Sequence, residues 1–143
     1  MRPVNGYRFS TDLRVRFNET DAQGVAHNSA YLVWFEIARI EYLARFPGGY
    51  KGLVEEHGVD VTTIETYVRY RAGCRFDDRL RIWARTADLR GTRFRFEYVI
   101  ERLNDPNGVV ADGWTGHACI DAQSLRPVRM PAWLGETLAQ LEA

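Results

Sequence analysis

Between Tyr31 and Leu43 the chain reads YLVWFEIARIEYL, and apolar side chains fall on nearly every face of the helix this spacing predicts. Tyr31, Trp34, Phe35, Ala38 and Tyr42 recur at helical intervals, while Leu32, Val33, Ile37, Ile40 and Leu43 fill the other faces. A helix apolar on most sides is expected to be buried on most sides. That requirement limits the folds open to the chain, because something large must wrap the helix.

The wrapping is legible downstream. Val61 to Arg71 is rich in β-branched and aromatic residues, as strands are. Leu80, Ile82 and Ala84 alternate with Arg79, Arg81, Trp83 and Arg85; after a tight link near Arg90-Gly91, Phe94, Phe96, Tyr98 and Ile100 oppose Arg93, Arg95, Glu97 and Glu101. Asn104-Asp105-Pro106-Asn107-Gly108 is a hairpin signal, and Val109 to Asp121 reads as the returning strand. Ahead of the helix, Leu13, Val15 and Phe17 alternate with Arg14, Arg16 and Asn18 as one more half-buried strand. Pro47-Gly48-Gly49 ends the long helix, and a short one from about Lys51 carries His57 in its last turn as a C-terminal cap, with Gly58 past its end. Glu36 with Arg39, and Glu41 with Arg45, are expected to pair along the long helix. Pro131 opens a last helix with Leu134, Leu138 and Leu141. Strands joined by short turns predict an antiparallel meander curled around one helix, an α+β fold. Its long edge strands need cover, which predicts a homo-oligomer.

At 143 residues the chain suits one core, so residues 1–143 are read as a single domain. Formal net charge is zero, which argues against a nucleic-acid partner or an anionic membrane surface. Cys74 and Cys119 are far apart and read as buried free thiols in a reducing compartment. No apolar run has the length of a signal peptide or a membrane span, so a cytoplasmic location is expected. Three histidines without metal-ligand spacing predict no metal site.

The chemistry concentrates in VRFNETDAQGVAHNSAYLVWFEIARIE, residues 15–41. It sets one carboxylate, Asp21, in a Gly-containing loop before the long helix, which Asn28 or Ser29 can cap. Helix starts carry unpaired N–H groups and partial positive charge, suited to an oxygen that turns negative during acyl transfer. One carboxylate beside one oxyanion site is a minimal kit for hydrolysing an activated ester. Asp also stabilises turns. As a simple helix cap, however, Asp21 lies about seven residues too early.

Arg16-Phe17, then Glu19-Thr20-Asp21-Ala22-Gln23-Gly24-Val25, then Tyr31, Phe35-Glu36 and Ala38-Arg39 resemble the hotdog-fold acyl-CoA thioesterases, the hydroxybenzoyl-CoA thioesterase group and its short-chain relatives. Asp77-Asp78-Arg79-Leu80 and Arg126 to Pro131 are weaker echoes, and the likeness covers nearly the whole chain. The resemblance implies a hotdog fold, a long central helix wrapped by a curved antiparallel sheet. It implies Asp21 as nucleophile or general base, three residues before Gly24, and an amide N–H at or beside Asn28 that polarises the thioester carbonyl. It implies no cofactor, since coenzyme A is part of the substrate. It also implies a homodimer or homotetramer with the site at the subunit interface. Many short-chain relatives carry Tyr-His or two histidines after the loop; His27-Asn28 stands there in this chain. His27 is then either a substitute shifted by one residue or a loop side chain. Gly24, Val25, Tyr31 and Trp34 are candidates for lining the substrate site, with core packing an equal account of Tyr31 and Trp34.

Other residues have plainer readings. Glu19 is expected as a solvated loop charge rather than a second carboxylate tuning Asp21, and Glu36 as a partner of Arg39 or of sheet backbone rather than a buried acid. His117 is read as a packed strand residue. Ser29 lacks the surroundings of a serine nucleophile, and Gly48-Gly49 and Gly113-x-x-Gly116 lack the pattern of a phosphate loop. Arg79, Arg81, Arg85, Arg93 and Arg95 could grip coenzyme A phosphates, although a solvated sheet face explains any one of them. Two other classes remain open on the same fold: a non-catalytic module binding acyl-CoA or an acyl carrier, and a hydratase or dehydratase, for which Phe46-Pro47-Gly48 lacks the expected histidine.

Overall fold

The computed structural model describes residues 4–105 and 108–143. The chain runs β1 (Phe9–Arg14), a 3₁₀ turn (Phe17–Glu19), α1 (Asn28–Leu43), α2 (Gly49–His57), β2 (Val59–Tyr70), β3 (Arg79–Arg90), β4 (Arg93–Arg102), β5 (Val109–Asp121) and α3 (Ala132–Glu142). Among the described residues the strands form one five-stranded antiparallel sheet, ordered β1-β3-β4-β5-β2. Only β3, β4 and β5 make the expected meander. β2 leaves its sequence neighbour β3 and pairs with β5 at the far edge, which frees the β3 edge for β1.

Alternation gives the sheet one apolar face. Leu80, Ile82, Phe94, Phe96, Tyr98, Ile100 and Cys119 are buried there, with Trp34, Phe35, Ala38 and Tyr42 of α1 in the same core. Phe35 stacks on Tyr98 with ring centroids 4.1 Å apart. This approach needs Gly113 across the strand from Tyr98: a Cβ there would lie 3.2 Å from Phe35 Cε2 and 2.1 Å from the Tyr67 carbonyl. α3 adds Leu134 and Leu138 to the core. The short bond between Tyr42 Oη and Glu142 ties its end to α1.

Several expectations need correction. The first strand lies earlier, at Phe9–Arg14, and Phe17 turns outward with 75% of its surface exposed. It packs edge-to-face on Phe76 instead. α1 is covered on one side only, since Leu32, Val33 and Ile40 are exposed in the single chain. Its N-cap is His27, without a side-chain cap bond, and not Asn28 or Ser29. Neither helical ion pair forms among the described residues. Arg39 instead donates to Tyr98 Oη at 3.2 Å, and Arg45 lies over the rings of Phe9 and Tyr42. Gly58 does end α2 in the left-handed conformation, and His57 leans on Trp133. The β4–β5 hairpin signal includes Pro106 and Asn107, outside the described residues. Among the described residues no helix is long and apolar enough to cross a membrane.

Candidate active site

Residues 19–27 form a small closed excursion between the 3₁₀ turn and α1. At its base the His27 N–H donates to the Glu19 carbonyl at 2.8 Å, and Thr20 bridges Ala26. At its tip the Asp21 N–H donates to the Val25 carbonyl at 2.8 Å. The Asp21 side chain shapes the tip. Its Oδ1 accepts from the Gln23 N–H at 2.8 Å and the Val25 N–H at 3.3 Å, the local turn bond that Asp favours. Gly24 completes the turn at φ +80°, a backbone that other residues adopt only under strain. Asp21 Oδ2 has no hydrogen-bond partner among the described residues, and the side chain is half-buried. Val25 bridges Arg75, and the Ala26 N–H donates to the Cys74 carbonyl at 2.8 Å, which docks the excursion on the β2–β3 connection.

α1 begins directly beyond this base. The amides of Asn28 and Ser29 have no protein acceptor among the described residues, and both residues are exposed. The end is held from β2, where Tyr70 Oη donates to the Asn28 carbonyl at 3.0 Å and its ring meets Tyr31 edge-to-face. The His27 side chain is exposed beside the same amides. Gly24 and Val25 are half-buried in the turn, whereas Tyr31 and Trp34 are buried in the core behind it. Tyr31 Oη donates to the Ala72 carbonyl at 3.3 Å and lies 3.6 Å from Cys74 Sγ; burial raises both the Tyr31 phenol and the Cys74 thiol.

Glu19 reverses its expected role. It is not solvated but 7% exposed, and Oε2 accepts the indole N–H of Trp34 at 2.9 Å. Oε1 accepts the Arg16 N–H at 2.8 Å, with the Arg16 guanidinium 3.3 Å from Oε2. A buried tryptophan needs an acceptor for its N–H, and that need was the available signal that a nearby carboxylate is internal.

The other candidates separate from this site. Glu36 is exposed and lines a cavity of about 310 Å³ with Arg39, Ile40, Tyr50, Asp60 and β2 backbone. The premise of a buried acid there is not met. His117 is packed as expected. Its Nε2 is 2.7 Å from Thr115 Oγ1, which is 2.7 Å from Tyr98 Oη, the group that Arg39 reaches. A wider hollow of about 570 Å³, lined by Tyr7, Tyr67, Arg85 and Trp114, opens on the sheet face away from α1 and excludes Asp21. Arg81 pairs with Asp12, Arg85 with Glu97, and Arg95 with Asp88 and Glu97, which supports the solvated-face reading for these three.

Residues 15–138 match the family described as the Thioesterase-like superfamily. The chain belongs to that family. It is 30% identical over 128 residues to the acyl-CoA thioester hydrolase YbgC of Escherichia coli O6:H1, covering 90% of this chain and 93% of the relative. It is 33% identical over 125 residues to a 1,4-dihydroxy-2-naphthoyl-CoA hydrolase of Synechococcus sp. CC9605, covering 82% of this chain and 80% of the relative. A Thermus thermophilus protein, TT1821, superposes with a TM-score of 0.81 at 33% identity over 92% of this chain and 98% of its own. The Thioesterase-like superfamily match covers the Asp21 turn, α1 and all of the sheet except β1.

Proposed function

We propose that this protein hydrolyses the thioester of a short-chain or aromatic acyl-CoA at the Asp21 turn. One observation carries the reading. In a chain of the Thioesterase-like superfamily, a carboxylate with one free oxygen stands on a turn whose base is bonded to the N-cap of a helix with open first-turn amides. Asp21 Oδ1 is engaged in keeping the turn, so Oδ2 performs the chemistry. As general base it takes a proton from water while the water oxygen bonds to the thioester carbon. The carbonyl electrons move to oxygen, facing the amides of Asn28 and Ser29, and return as the C–S bond breaks. Coenzyme A leaves as thiolate and takes up a proton. As nucleophile, Oδ2 would instead form a mixed anhydride that water then opens. Gly24 and Val25 border the reacting group, Tyr31 and Trp34 back it, and the His27 imidazole stands at the entrance. No metal or further cofactor has a step in this scheme.

The same reading includes a homodimer or homotetramer. Leu32, Val33 and Ile40 leave one side of α1 apolar and open, and the 12-residue edge strand β2 exposes Ile64, Tyr67 and Tyr70. A second copy paired along β2 would cover both features. Sedimentation giving a monomer at micromolar concentration would remove this part. The proposed location is the cytoplasm, with the acyl-CoA pool.

The test is thiol release from acetyl-, butyryl-, decanoyl-, benzoyl- and hydroxybenzoyl-CoA by wild type and Asp21→Asn. Turnover lost in the variant with acyl-CoA binding kept supports hydrolysis at Asp21. Binding without turnover by wild type would favour a non-catalytic acyl-CoA module. Single turnover in H₂¹⁸O followed by label analysis of Asp21 tests the nucleophile route, since label enters the carboxylate only when water opens an anhydride at the Asp21 carbonyl carbon.

A further inference from the structure

Glu19 has no part in the scheme above, yet it joins both halves of the site. Its carbonyl accepts the N–H of His27, the residue that caps α1. Its carboxylate accepts the indole N–H of Trp34, within α1 and fully buried. Oε1 meanwhile holds the Arg16 N–H, fixing the 3₁₀ turn from which the excursion springs. Two residues after Glu19 the chain reaches Asp21; eight residues after it reaches His27.

We infer that Glu19 is a positioning residue for thioester hydrolysis, holding the Asp21 turn and the first amides of α1 in one frame through Trp34 and His27. This rests on the proposed role of Asp21. The geometry explains why a charge is kept inside the core. An apolar residue at position 19 would keep the backbone bond to His27, but it would lose the side-chain link from the base of the turn to Trp34 and to the Arg16 N–H. Acyl transfer needs the attacking oxygen and the oxyanion donors in fixed relation. A displacement of about 1 Å can cost roughly 10²-fold in rate without weakening substrate binding. Glu19 touches neither reacting group and acts only through its two neighbours.

A merely structural Glu19 would matter because its loss strands the buried Trp34 N–H. The double variant Glu19→Ala/Trp34→Phe removes donor and acceptor together and separates the possibilities. The expected result is a folded protein whose kcat stays about 10²-fold below wild type, as in Glu19→Ala alone; the KM comparison is read from the Glu19 variants that keep Trp34, because Trp34 backs the site. Return of kcat to the wild-type value in the double variant would overturn the inference. Glu19→Gln is the second measurement, available even if the double variant does not fold. Its single carbonyl oxygen can stay on Trp34 only by turning an N–H₂ group toward the Arg16 N–H, so kcat should fall about tenfold with KM kept. Wild-type kcat in Glu19→Gln would overturn the proposal equally. Asp21→Asn is assayed alongside. Full turnover in that variant would sink the catalytic reading itself, whereas an inactive Asp21→Asn with fully active Glu19 variants would sink only the inference about Glu19.

Discussion

Asp21 and His117 are both residue types that proton-transfer chemistry uses, and the fold treats them oppositely. Asp21 lies on a turn at the edge of the molecule, with one oxygen spent on backbone and the other open. His117 lies on β5 against the core, 1% exposed, on Thr115 and between the rings of Phe94 and Phe96. Burial, with the Arg39 charge nearby, pushes its imidazole down to about 4. Its Nδ1 has no hydrogen-bond partner among the described residues. A histidine held neutral and sealed in aromatic packing can neither reach a substrate nor cycle a proton with water. Residue type therefore misleads here; access and the direction of the free lone pair are what separate chemistry from packing.

Exchanging the losses between the two regions gives the largest contrast. Asp21→Asn should lower kcat roughly 10²–10⁴-fold, the range of a well-placed general acid or base. Its melting temperature should hardly move, because the Asn carbonyl can still accept from Gln23 and Val25. His117→Gln should show the reverse pattern, with turnover kept. A His117 variant that folds but fails to turn over would break the comparison.

Acid should act on the second region by a further large amount. The His117 imidazole titrates at about 4 in the fold against 6.5 ordinarily. Between those values the unfolded chain binds a proton that the folded chain does not, so stability falls as pH falls through the window. A shift of that size corresponds to about 3 kcal/mol. Urea midpoints at about pH 7 and about pH 4.5 should therefore differ strongly in wild type and much less in His117→Gln. Equal acid sensitivity in both proteins would mean that another group controls it.

The two regions were unequally legible in the sequence. The strands and α1 were readable because alternation and helical spacing are local, and β5 begins and ends where its pattern does. Sheet order was not readable, since nothing local tells β2 to cross to β5 and leave β3 to β1. In the site, Asp21 stood out by its place before a helix. Glu19 did not, because alternation in a loop suggests opposite directions and the 3₁₀ turn at Phe17–Glu19 changes them. The polar chain from Arg39 through Tyr98 and Thr115 to His117 joins residues on three elements, a relation no spacing rule carries.

That chain gives a smaller effect. Tyr98→Phe deletes the hydroxyl between Arg39 and Thr115, leaving the buried Thr115 hydroxyl and a half-buried guanidinium each short of one bond. Urea unfolding should show a loss of about 1–3 kcal/mol, with kcat unaffected. A rate loss without a stability loss would move this cluster into the site and blur the distinction drawn above.

The smallest effect belongs to the residue nearest the proposed oxyanion. Asn28→Ala removes an exposed side chain with no hydrogen bond of its own among the described residues, but it keeps the backbone N–H. Removing a true oxyanion donor costs about 10²–10³-fold in kcat. A backbone donor survives side-chain change, so Asn28→Ala should lose less than about tenfold. Ala also remains compatible with the first turn of α1. Parallel assays of His27→Ala separate the neighbouring imidazole from the amides. If Asn28→Ala instead fell as far as Asp21→Asn, the side chain of Asn28 would be the donor, and helix-start amides would lose their place in the scheme.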